Sequence, residues 1–168
     1  MVVLLLGGLP AGEGEAATPP VSLDLLITSQ QTKLTASDAA AEDWFGWNVA
    51  LDGETALVGV LRDDHGGRRD AGSAYIFERK SGTWSLQAKL AASDPGAREW
   101  FGSSVSLDGE TAVIGADQHD HGGHGDAGSA YVFQRRGGTW SQEAKLTASD
   151  AADEIGRASC RERVYCEV

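Results

Sequence analysis

The stretch His119-Asp120-His121-Gly122-Gly123-His124-Gly125-Asp126 holds the side chains best suited to chemistry in this chain. Three imidazoles beside carboxylates are donors that zinc or another divalent ion would accept. The chain supplies its own control. Fifty-six residues upstream the stretch reads Asp63-Asp64-His65-Gly66-Gly67-Arg68-Arg69-Asp70, preceded by Arg62, and keeps one histidine. A structural metal site of a repeated unit should recur, and this one does not. Both stretches are therefore read as solvated, glycine-rich loops. Their Arg62, Asp64, His65, Arg68 and Asp70, and His119, Asp120, His121, His124 and Asp126, are candidate contacts for a ligand. No metal or other cofactor is expected.

Trp44 and Trp100 suggest an aromatic platform for a sugar; packing beside the adjacent glycines between repeated units is the preferred reading. Asp38, Asp43, Asp94 and Glu99 read as solvated loop acids or turn formers. No Gly-x-Ser-x-Gly, His-Glu-x-x-His or phosphate-binding glycine loop occurs. Nothing in the sequence pairs a nucleophile with a base, so catalysis is not expected.

The elements that must hold these residues follow from the repeat. Lys33-Leu34 returns as Lys89-Leu90 and Lys145-Leu146, Trp44-Phe45-Gly46 as Trp100-Phe101-Gly102, and Asp70 to Tyr75 as Asp126 to Tyr131, always at a spacing of 56. Such a period marks stacked or radial units that cannot bury their apolar faces alone. Each unit shows four runs of β-branched, aromatic and other apolar residues bounded by turns. They span 47–51, 55–60, 73–79 and 83–90 in the first copy, and 103–107, 111–116, 129–135 and 139–146 in the second. Asp52-Gly53 and Asp108-Gly109 signal tight hairpins, as do Ser81-Gly82 and Gly137-Gly138. Trp84, Leu86, Ala88 and Leu90 alternate with polar residues, as on an outer strand with one wet face, whereas Ala56-Leu57-Val58 suits an inner strand. The expected fold is all-β: two four-stranded antiparallel blades of an incomplete β-propeller.

The blades are assigned to 35–90 and 91–146, with 147–153 beginning a third. Residues 21–34 are read as an orphan outer strand that would complete the last blade of a closed ring. Residues 1–20 resemble a signal peptide lacking its basic start, or a disordered leader. Residues 154–168 resemble the translation of a sequencing adapter and are set aside from fold reasoning, together with Cys160 and Cys166. The repeats hold no cysteine, so they contain neither a disulfide scaffold nor a cysteine zinc site. The net charge of −11 disfavours nucleic acid, and no apolar run is long enough to insert into a membrane. Two blades alone should leave strand edges exposed and prone to aggregate.

Phe45-Gly46 and Phe101-Gly102, followed by Gly59-Val60-Leu61 and Gly115-Ala116-Asp117, resemble the FG-GAP repeat, which builds the propeller of integrin α-subunits and occurs in bacterial surface proteins. Ala130-Tyr131-Val132-Phe133 is similar to the third strand of the bacterial subgroup. The resemblance implies a secreted or cell-surface module, bacterial, that binds a protein or carbohydrate through loops on one face. Two alternatives stand beside it: an accessory propeller of a larger secreted enzyme, and a purely structural repeat. The chain departs from the family's calcium loop between the first two strands, here only Asp52-Gly53-Glu54 and Asp108-Gly109-Glu110. Calcium needs six or more oxygens, which a tight hairpin does not supply.

Overall fold

A computed structural model of the chain describes residues 32–151. Eight strands run in order: β1 Phe45–Asp52, β2 Thr55–Val60, β3 Ser73–Lys80, β4 Thr83–Leu90, β5 Phe101–Asp108, β6 Thr111–Ala116, β7 Ser129–Arg136 and β8 Thr139–Leu146. They form two antiparallel sheets, β1-β2-β3-β4 and β5-β6-β7-β8, in simple meander order. The all-β, two-blade expectation holds, and the described residues do not close into a ring. The leader at 1–20, most of the orphan strand at 21–34 and the adapter-like tail lie outside the described residues; residues 32–34 carry no strand.

Glycine sets the turns. The β3–β4 reversal places both central residues at positive φ, Ser81 at 50° and Gly82 at 81°, and Gly137 and Gly138 repeat it at 59° and 82°. This is the backbone twist that suits a two-residue hairpin. The β1–β2 hairpin turns on Gly53 and Glu54, with Asp52 opposite Thr55. Strands β1 and β5 begin two residues earlier than expected. Phe45 pairs with Val60, and the register then shifts before Val49 meets Val58. The second copy shifts likewise between Phe101 and Ser104. Positive φ at Trp44 and Gly46, and again at Trp100 and Gly102, bends the strand there and hides its start from a period-two pattern.

Each blade has a front and a rear apolar face. The main core lies between the blades. Leu57, Ala74, Ile76 and Leu90 from the rear of the first blade meet Phe101, Ala112, Ile114, Tyr131, Phe133 and Trp140 from the front of the second. Phe101 is the centre of this contact. It stands edge-on to Tyr131 and Phe133 at 5.3 and 6.0 Å. Its N–H donates to Ala71 O at 2.9 Å, and it forms a parallel bridge with Gly72. A Cβ on Gly72 would fall 2.1 Å from Phe101 O, so only glycine admits the strand this closely. The front of the first blade repeats the pattern with Val58, Val60, Tyr75 and Phe77, against which Leu34, Ala36, Phe45 and Trp84 are half-buried.

Candidate functional site

The two long loops, 61–72 and 117–128, share one backbone. In the first, Asp64 Oδ1 accepts the Asp70 N–H at 2.8 Å, and His65 and Arg68 exchange backbone hydrogen bonds of 3.1 and 2.9 Å. In the second, Asp120 Oδ1 accepts the Asp126 N–H at 3.0 Å, and His121 and His124 exchange bonds of 3.0 Å each way. Gly66-Gly67 and Gly122-Gly123, all at positive φ, make the reversal at each tip. Gly72 N–H to Asp63 O and Gly128 N–H to His119 O, both 2.9 Å, close the base.

On this common frame the side chains differ. Arg62, Arg68 and Arg69 stand where the second copy has Gln118, His124 and Gly125. Asp64, Arg68 and Asp120 are exposed, and Arg62, His65, Asp70, His121, His124 and Asp126 are half-buried. His119 alone of the ten candidates is interior, at 5% exposure. It is corrected from a surface contact to an internal one, because it replaces Asp63 beneath a lysine. That inward turn separates it from the other two histidines. Among the described residues, no group of His, Cys, Asp or Glu is arranged to hold a metal ion.

Beneath each loop lies a lysine clasp that sequence reasoning missed. Lys89 Nζ, near the end of β4, reaches Asp38 Oδ2 at 2.7 Å and Asp63 Oδ2 at 2.8 Å, and the Tyr75 hydroxyl donates to Asp38 Oδ1. The second blade repeats this with Lys145 to Asp94 at 2.6 Å and the Tyr131 hydroxyl to Asp94 at 3.0 Å. His119 takes the place of Asp63, its Nε2 2.9 Å from Lys145 Nζ and its Nδ1 3.1 Å from Ser129 Oγ. An ammonium group has only donors, so His119 Nε2 accepts and Nδ1–H is assigned as donor to Ser129.

Asp38 and Asp94 remain exposed, as expected of loop acids, and are also the carboxylate partners of the clasps. Asp43 and Glu99 do form turns, accepting the N–H of Ala40 and of Gly96, each at 2.6 Å. The Lys89 and Tyr75 hydrogen bonds hold the Asp38 carboxyl below its usual range. Burial pushes Asp94 up, but Lys145 and Tyr131 outweigh it and leave the group below its ordinary value. Burial and the Asp38 carboxylate push the Tyr75 hydroxyl up to about 12. The signal for the clasp was in the repeat itself. Lys, Tyr and Asp recur at all three positions, but there they served only as landmarks.

A cleft of about 410 Å³ opens between the first long loop and the segment leading into β1. It is lined by Asp38, Glu42, Asp43, Asp63, Asp64 and Asp70, with Arg62 and Arg69 among them. The Arg62 guanidinium lies 3.8 Å over the Trp44 ring, which stacks on Trp47 at 5.4 Å. Trp44 is 43% exposed on the first blade, ahead of which no described blade lies, whereas its counterpart Trp100, which follows a described blade, is half-buried.

Comparison with protein families gives one match. The FG-GAP repeat model fits residues 28–77 and 84–133, two stretches in the same 56-residue phase. The second stretch takes in β4 of one blade and β5 to β7 of the next. No curated protein matches the chain. Among the described residues, no helix is long and apolar enough to cross a membrane.

Proposed function

Since the chain belongs to the FG-GAP repeat family, we propose that it is a non-catalytic, propeller-type binding module of the cell exterior, contacting a protein or glycan through the loops of one face. The observation that carries this reading is the pair of long loops. Their backbone hydrogen bonds coincide, while the side chains at the tips change from arginine to histidine. A frame held constant while its surface varies suits recognition, because each blade then offers different contacts. The contact set is Arg62, Asp64, His65, Arg68 and Asp70 with Asp120, His121, His124 and Asp126. The acid-rich cleft beside Trp44 and Arg62 adds charged groups and an aromatic face, which suit a polar macromolecular surface. Secretion from a bacterium accords with the signal-like leader and the family's subgroup.

The test uses the full chain on a glycan array and on immobilised extracellular proteins. A hit should weaken about tenfold or more in a variant carrying Arg62→Ala, Arg68→Ala, His121→Ala and His124→Ala. Binding that survives all four substitutions would refute the assignment of the loops.

A further inference from the structure

The clasp changes its chemistry at one position between the blades, where Asp63 of the first becomes His119 of the second. Carboxylates and ammonium groups ordinarily keep their charge between about pH 5 and 8, whereas an imidazole changes its own there. The groups that face the buried ring come from both sides of it. From β8, Lys145 Nζ lies 2.9 Å from Nε2. From the segment entering β5, Glu99 Oε1 and Asp94 Oδ2 stand 3.6 and 3.7 Å from the same nitrogen. From β7, Ser129 Oγ meets Nδ1 at 3.1 Å, and the Tyr131 ring stands edge-on at 6.1 Å.

Nε2 thus has a donor on one side and carboxylate acceptors on the other. The neutral ring accepts from Lys145. A proton taken from solvent forms an N–H at Nε2 and removes the lone pair that the ammonium needs, but the new donor finds the carboxylates. Nδ1–H donates to Ser129 in both states, so the ring pivots there and only Nε2 changes partner. Asp94 is already engaged, with Lys145 on Oδ2 and the Tyr131 hydroxyl on Oδ1. Glu99 holds the Gly96 N–H on Oε2, which leaves Oε1 turned to the ring. Lys145, Asp94 and Glu99 together carry one excess negative charge, so a proton on His119 balances the cluster rather than breaking it. The backbone of His119 accepts the Gly128 N–H at the base of the 117–128 loop, so the ring's anchor is also the loop's.

We propose that His119 is a proton-operated anchor: on mild acidification its Nε2 passes from Lys145 to Glu99, tying the 117–128 loop to the segment entering β5 instead of to β8. The 61–72 loop, fixed by Asp63, keeps one anchorage throughout. The exchange belongs to the fold and requires no ligand.

Slow deuterium exchange at the imidazole C2 position, followed by mass spectrometry across a pH series, gives the titration midpoint of a single histidine in the full chain. His121→Asn with His124→Asn leaves His119 as the one imidazole of its loop. In that background Glu99→Gln, which keeps an oxygen for the Gly96 N–H, should lower the midpoint by about one pH unit, or tenfold in proton affinity. Lys145→Met should raise it by about as much; if circular dichroism shows a disturbed fold, Lys145→Gln replaces it. Glu99→Asp separates the bond from mere charge. Asp43 makes the same turn in the first blade, so the turn survives, but the shorter side chain loses its reach to Nε2. It should lower the midpoint about half as far as Glu99→Gln or more. A ring that stays neutral down to about pH 5, or a midpoint that ignores either Glu99 substitution, would overturn the proposal.

Discussion

Gly59 and Gly115 occupy the same place in the two blades, yet alanine at each should act with opposite sign. Both have ordinary negative φ, so neither substitution strains the backbone. At Gly59 the new methyl would sit 2.4 Å from the carbonyl oxygen of Gly102. Backbone must then retreat beyond 3.0 Å, and the docked strand bearing Phe101 retreats with it. Overpacking of this kind costs about 1–3 kcal/mol. Reduced freedom of the unfolded chain returns about 0.4–1 kcal/mol, leaving a net loss of about 1–2 kcal/mol. At Gly115 the methyl meets the Ser104 hydroxyl at 2.2 Å, a side chain that can rotate away. Only the gain remains there, so Gly115→Ala should be neutral or stabilising by up to about 1 kcal/mol. Urea unfolding of both variants measures the difference. Two alanines that shift the midpoint in the same direction and by the same amount would refute the idea that docking, rather than strand propensity, decides these positions.

Three further predictions concern the clasps. Asp38 and Asp94 have folded-state carboxyls held below their ordinary value, so their contribution is present above about pH 4 and is lost as pH falls through the depressed value. Melting temperature should therefore drop steeply below about pH 4, and a variant with Asp38→Asn and Asp94→Asn should be less stable at neutral pH with a flatter acid limb. At the alkaline end Tyr75 keeps its proton to about pH 12, so its contribution fades only above the usual tyrosine range, and phenolate absorbance should rise late. Lys89→Met would leave the buried Asp63 carboxylate without its cation. Losing one partner of a buried pair costs about 3–5 kcal/mol, which partial exposure of Lys89 reduces to about 2 kcal/mol, readable by denaturant titration.

The strands were legible where turn chemistry bounds them. β2, β4, β6 and β8 begin and end where glycine hairpins and apolar runs place them, because those signals are local. The starts of β1 and β5 were not legible, since Phe45 and Phe101 pair across a bulge that breaks the alternation of faces. The clasp was hidden for a different reason. Lys89 and Asp38 lie far apart in sequence, and each taken singly looks like an ordinary solvated charge. His119 misled in the opposite direction. It sits in a polar, glycine-rich stretch that reads as surface, but its place in the repeat is that of Asp63, under the lysine. Loop composition reports the average of a segment, whereas burial is decided residue by residue.

The clasps also bear on the order in which the chain is assembled during synthesis. Each ties the segment entering a blade to the far end of that same blade's last strand: Asp38 to Lys89, then Asp94 to Lys145. Nothing from a later blade is needed to make one. The Phe101 seat, by contrast, exists only once the following blade has arrived. A chain emerging from the ribosome would fasten each unit as it appears and hold its rear open for the next. Growth is then directional, because every finished unit presents a template for its successor. Native-state hydrogen exchange would register the sequence as two tiers of protection, the clasp amides of each blade opening independently of the seam between them.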